Sequence, residues 1–187
     1  MKNKIIKLIS TILSVVLVVL SCFLLVKNLF FFEVMVVGSS MDSTLINGEM
    51  GYAIKVNNLT KIEKNDIIIF YQDDKEVIKR VIGEPLDKIK ITNEGIYVND
   101  TFVEETYLDE EDKKYTYAYF SLYNEVTLGK DEYFVLGDNR LVSYDSRYYG
   151  PIKRENISGK LVLINAITED TDELDNIDKE MIPWRFF

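Results

Sequence analysis

Three stretches of this chain carry residue types that could do hydrolytic chemistry. The first is Val36-Val37-Gly38-Ser39-Ser40-Met41-Asp42-Ser43-Thr44-Leu45. A serine after a strand, with glycine two positions before it, can present its hydroxyl and its backbone N–H to one substrate carbonyl, although most serines so placed are turn or capping residues. The second is Val77-Ile78-Lys79-Arg80-Val81-Ile82-Gly83-Glu84-Pro85. If Val77, Lys79 and Val81 share a strand face, the lysine points the same way as two apolar side chains. That pattern suits an edge lysine that blunts aggregation. It also suits a lysine base, whose pKa must fall from about 10.4 toward about 7–8, roughly 4 kcal/mol of differential destabilisation of the ammonium. The third is residues 137–152, where Asp138, Asn139, Arg140, Ser143, Asp145, Ser146 and Arg147 lie between Gly137 and Gly150. Opposite charges packed this densely after the apolar run Tyr133–Leu136 read as a network whose buried members satisfy one another. A structural hairpin corner would explain the charges but not so many hydroxyls.

Composition limits the chemistry further. The chain has no histidine, which excludes a Ser-His-Asp triad, a Cys-His pair and any histidine-ligated metal. Cys22, the one cysteine, lies in an apolar run, so there is no internal disulfide. A base must then be a carboxylate, a lysine or a tyrosine. No cofactor and no metal are implied.

The elements that must position these residues follow from hydropathy and period. Leu8–Val26 is a 19-residue uncharged run, long enough at ~1.5 Å per residue to cross about 28 Å of hydrocarbon. It exceeds the apolar core of a cleaved signal peptide and continues through Phe23-Leu24-Leu25-Val26, so an uncleaved anchor is expected. Lys2, Lys4 and Lys7 before it, against Lys27 after it, place the N-terminus in the cytoplasm and the rest outside. Ser40 should then lie near the outer membrane surface. Residues 28–187 hold 18 positive and 31 negative charges, a poor surface for nucleic acid. The lipid bilayer is the expected partner of the anchor.

Beyond the anchor, period-2 alternation and β-branched runs predict strands over Val34–Val37, Gly51–Val56, Asp66–Tyr71, Glu76–Ile82, Lys88–Thr92, Gly95–Val98, Tyr115–Phe120, Glu132–Leu136 and Lys160–Ile164. The expected fold is mainly β: an antiparallel catalytic domain over 28–168 behind one transmembrane helix within 1–27. Residues about 84–130 form a small inserted subdomain, and 169–187 an acidic tail with an aromatic end.

Together the three stretches resemble the bacterial type I signal peptidases. The likeness spans an N-terminal anchor, the Ser-Met box at Ser40, the Asp66–Phe70 strand, the Lys-Arg-Val box at Lys79 and the Gly-Asp-Asn-Arg box at Gly137. It implies a membrane-bound serine endopeptidase with Ser40 as nucleophile and Lys79 as general base. Ser143 would orient the lysine amine, while Asp145–Arg147 and Arg80–Asp138 would be supporting ion pairs. The Ser40 N–H would form part of the oxyanion hole. At Gly38, where some relatives place a serine hydroxyl, a backbone N–H or a water must serve. Implied partners are secretory preproteins, cut at their signal peptides on the outer face of the cytoplasmic membrane, with small side chains at the first and third positions before the cut. Two positions depart from the family pattern. Ser43 stands where proline is usual, which loosens the loop after the nucleophile. Leu86 stands where glycine is usual, so that turn is expected to be rearranged. A non-catalytic relative assisting assembly of secreted or pilus subunits is the alternative. A self-cleaving Ser/Lys regulator would need a DNA-binding domain and a cytoplasmic location.

Overall fold

The computed structural model describes residues 2–115, 122–165 and 185–187. The chain forms two compact units, residues 1–32 and 33–187. In the first, Lys2–Phe30 is one helix (α1), and its span Asn3–Phe30 is long and apolar enough to cross a membrane. Two of its hydroxyls are satisfied within the helix: Thr11 Oγ1 donates to Lys7 O at 3.0 Å and Ser14 Oγ to Ser10 O at 2.9 Å. Such internal bonding is what a hydrocarbon environment demands of polar groups.

The second unit is built from antiparallel strands: Phe31–Met35 (β1, shared with the first unit), Met50–Lys55 (β2), Ile67–Gln72 (β3), Lys75–Gly83 (β4), Lys88–Thr92 (β5), Gly95–Val98 (β6), Thr101–Phe102 (β7), Glu125–Thr127 (β8), Glu132–Leu136 (β9), Ile152–Lys153 (β10), Ile157–Asn165 (β11) and Arg185–Phe186 (β12). The main sheet has the order β1-β2-β11-β3-β4-β9-β10, with β12 also on β11. A second sheet, β7-β6-β5-β8, uses only residues between 88 and 127. Ile67, Ile68, Ile69 and Phe70 of β3 are all buried, because both faces of the main sheet are covered. On one face Ile68, Phe70, Val81, Val135 and Ile157 form a core. On the other, Ile82, Phe134 and Leu136 pack against Ile89, Ile91 and Ile96 of the second sheet. The alternation Val81/Ile82 and Val135/Phe134 distributes neighbours to opposite cores, as a pleated strand must.

Two short helices were not anticipated by periodicity. Glu110–Tyr115 (α2) opens with Asp109 Oδ1 accepting the N–H groups of Glu111 at 2.9 Å and Asp112 at 2.8 Å. This cap, with acidic residues in the first turn and Lys113 and Lys114 in the last, is the local signal that favours it. The strand expected over Tyr115–Phe120 therefore does not begin at Tyr115, which closes α2; residues 116–120 and the tail 169–180 lie outside the described residues. Ser146–Tyr149 (α3) is capped by Asp145.

The turn at Leu86 corrects an expectation. It is not rearranged to avoid a left-handed residue; Leu86 itself adopts φ +72, with its side chain 70% exposed. The exposed side chain meets no packing penalty there, so the backbone strain of about 1–2 kcal/mol is carried locally.

Candidate active site

Lys79 lies on β4 between Val77 and Val81, opposite Ile68 of β3. This register buries it among apolar side chains to 3% exposure. Desolvation of the ammonium lowers its pKa to about 8, against the upward pull of Asp145 and Asp138; Arg147 pushes it further down. Nζ lies 2.6 Å from Ser40 Oγ and donates to Ile78 O at 3.0 Å. Among the described residues no carboxylate forms a salt bridge with it. A neutral amine can accept the Ser40 hydroxyl proton at that distance.

Ser40 sits in a tight turn set by Met41 and Leu45, both buried: Leu45 N–H donates to Met41 O at 2.8 Å, and Asp42 N–H to Ser39 O at 3.2 Å. The turn is also tied to the polar loop, since Asn139 N–H donates to Ser40 O at 3.1 Å. Ser43 takes φ +82, which proline, held near −65°, could not adopt. Among the described residues the Ser40 N–H meets no acceptor. The Gly38 N–H is not so disposed: it donates to Asn47 Oδ1 at 2.9 Å. That bond occupies the Gly38 N–H in the structure, whereas the Ser40 N–H is left open.

The polar loop supplies two ion pairs. Arg80 reaches both Asp138 oxygens, through Nε at 2.9 Å to Oδ1 and Nη2 at 2.6 Å to Oδ2. It also donates to Asn65 O at 3.0 Å and Thr44 Oγ1 at 3.2 Å. Asp145 holds Arg147 through Nε at 2.8 Å and Nη2 at 2.9 Å, and accepts the Gly137 N–H at 3.0 Å. Ser143 lies beside Ser40 but lacks the bond expected of it. Its buried hydroxyl has no hydrogen-bond partner; the Lys79 amine bonds to Ser40 and to the Ile78 carbonyl. Gly137 makes this closeness possible: a Cβ there would lie 2.2 Å from Ser143 Oγ and 2.4 Å from Ser40 O.

Several participants were not foreseen. Glu105 binds Arg140 through both oxygens, Nη1 to Oε2 at 2.9 Å and Nη2 to Oε1, and Tyr107 Oη donates to Glu105 Oε1 at 2.7 Å. The Tyr107 ring in turn stacks on the Arg80 guanidinium, 4.1 Å from its centroid. Burial and then Glu105 push the Tyr107 pKa upward, so it stays a donor. Arg140 Nε donates to Gly137 O at 3.0 Å, which closes a ring of contacts around Asp138 and Arg80. Thr44, Asn65, Glu105 and Tyr107 gave little warning in the sequence beyond an excess of acid facing an unassigned arginine.

A cleft of about 220 Å³ lies over the pair, lined by Val36, Met41, Glu76, Val77 and Ile78 with Ser40 and Lys79. Two larger depressions, one at Asn57, Lys130 and Arg154 and one at Lys90 and Tyr97, contain none of these groups. The cleft adjoins an open strand edge. Lys75–Arg80 of β4 pairs with β3, whereas β9 pairs with β4 only from Arg80 onward. The backbone of Glu76–Lys79 thus has one edge without a strand partner among the described residues.

Residues 5–166 match the family model described as signal peptidase, peptidase S26. A signal peptidase I of Bacillus caldolyticus is 40% identical over 152 residues, covering 75% of this chain and 82% of that protein. Signal peptidase I V of Bacillus subtilis is 39% identical over 144 residues, covering 72% and 85%. A crystal structure of a signal peptidase I from Enterococcus faecalis, 27% identical, covers 56% of this chain and 99% of that one with a TM-score of 0.46.

Proposed function

Since the chain belongs to the signal peptidase I family of serine peptidases, we propose that it removes signal peptides from secreted preproteins with a Ser40/Lys79 dyad. The observation that carries the reading is a lysine 3% exposed, with its pKa lowered to about 8, whose amine lies 2.6 Å from a serine hydroxyl, both lining one cleft with Val36, Met41 and Val77.

Neutral Lys79 takes the proton of Ser40 as Oγ attacks the scissile carbonyl. The Ser40 N–H faces the oxyanion. The Lys79 ammonium then gives its proton to the departing amine, leaving an ester on Ser40. Water attacks that ester while Lys79 takes the water's proton, and the proton returns to Oγ as the ester breaks. In its charged phase the ammonium needs a third acceptor, and the buried, unpartnered Ser143 hydroxyl beside Ser40 is the group available. Asp138–Arg80 and Asp145–Arg147 hold the strand and loop that carry these groups.

An extended substrate adds to the open edge of Glu76–Lys79 by backbone hydrogen bonds. Side chains two apart on such a strand point the same way. The first and third positions before the cut thus face the cleft together, over Val36 and Met41. Helix α1 anchors the enzyme with its N-terminus in the cytoplasm and residues 28–168 outside, about 84–130 being inserted. Confining enzyme and substrate to one membrane raises their effective concentration. A preprotein incubated with wild type, Ser40→Ala and Lys79→Ala tests this: only wild type is expected to cut, and cleavage by either variant at near the wild-type rate overturns the dyad.

A further inference from the structure

The last residues of the chain reach the loop that carries Ser40. Arg185 and Phe186 form β12, which pairs Ile164 with Arg185 and Leu163 with Phe186 on β11. They take the edge that β3, paired only with Ile157–Lys160 of the same strand, leaves open. Phe187 N–H adds a bond to Val162 O at 3.2 Å. This places the Arg185 guanidinium against the nucleophile loop. Nη1 donates to Thr44 O at 2.5 Å, and Nη2 to both oxygens of Glu49 at 2.5 Å.

Glu49 is 2% exposed, and Arg185 is the cation that neutralises it. The same carboxylate accepts the Ile46 N–H at 2.9 Å, so it braces the loop from within. Thr44 is gripped from two sides: its carbonyl by Arg185 and its hydroxyl by Arg80, which binds Asp138. A continuous chain of charge-assisted bonds therefore runs from the C-terminal arginine, through the residue four past the nucleophile, to the neighbour of the base. Charge-assisted bonds are about twice as strong as neutral ones. The loop they hold has Ser43 at φ +82 and no proline to stiffen it.

We propose that Arg185 is a positioning residue for Ser40, fixing the loop 40–49 so that Oγ stays in line with the Lys79 amine. The inference rests on the peptidase reading for its kinetic test, but not for its structural one. Displacing a reacting atom by about 1 Å lowers rates about 100-fold. Arg185→Ala in the full chain should therefore lower kcat about 10- to 100-fold with KM within about twofold, while the acid limb set by Lys79 stays in place. Arg185→Lys should recover only part, because a point-like ammonium cannot bridge a carbonyl and a carboxylate as a planar fork does. A purely structural role predicts a lower melting temperature with unchanged kcat well below it, and that result overturns the proposal. If wild type does not cleave, the peptidase reading fails separately. Amide hydrogen exchange over residues 40–49 then decides: faster in Arg185→Ala supports the clamp, and exchange equal to wild type overturns it.

Discussion

Lys79 and Arg80 are consecutive residues on β4, both buried cations, and the two faces of the strand treat them in opposite ways. Arg80 meets both oxygens of Asp138, two further oxygen acceptors and the face of Tyr107. Lys79 meets one hydroxyl and one carbonyl, and its pKa drops to about 8. A buried charge survives where geometry supplies the opposite charge within bonding distance. Where it does not, the group that can give up its proton does so. Lysine can, and arginine cannot. The order Lys-Arg along one strand thus makes an amine that gives up its proton near pH 8 on one face and a permanent cation on the other.

The largest effect is expected from erasing the difference in residue type. Lys79→Arg puts a guanidinium that stays protonated where a neutral amine is needed, and should lower kcat/KM about 10³-fold or more in the preprotein assay. On the other face, Asp138→Ala leaves Arg80 buried and unpaired. It should destabilise the fold by about 3–5 kcal/mol in denaturant unfolding.

A third substitution separates the faces by sign. The native pKa of Lys79, about 8, lies below its ordinary value of 10.5, so between them the unfolded chain binds more protons than the native one. Burial of the lysine is thus destabilising by about 3 kcal/mol below pH 8, and the penalty fades as pH rises from 8 to 10.5. Lys79→Met should abolish activity yet stabilise the protein at pH 7 by up to about 3 kcal/mol, a gain that shrinks toward pH 10.5. Unfolding at pH 7 and at pH 10 checks both sign and slope. A site remote from either cation serves as the smallest case: Leu86→Gly removes left-handed strain and should stabilise by about 1 kcal/mol, read as a shift in denaturation midpoint.

The legible parts of the molecule were those whose signals are local. The run Ile67–Phe70 reads as a strand, and Val77/Lys79/Val81 reads as one face, because burial there follows the period of the pleat. Ser40 and Lys79 could be named from their boxes, and the fold sets them 2.6 Å apart. The two- and three-residue strands β7, β8, β10 and β12 were not legible, since a period cannot be read in so few residues. Nor were Glu105–Arg140, 35 positions apart, or Arg185–Glu49, 136 apart, which depend on how the strands bring distant loops together. Ser143 was expected on the lysine amine; the fold keeps it beside Ser40 without that bond. Leu86 shows the limit of a steric rule applied alone, for an exposed side chain can tolerate a left-handed backbone that the sequence pattern disfavours.

The claim that burial on its face of β4, with no salt-bridge partner among the described residues, lowers the Lys79 pKa can be measured at the group itself. Heteronuclear NMR of lysine labelled at the ε-carbon, with Lys79→Met to assign its signal, follows the amine through pH. A midpoint near 8, coinciding with the acid limb of kcat/KM, is the predicted result. A midpoint near 10.5 would contradict it, since the amine would then be an ordinary ammonium at the pH where the enzyme works.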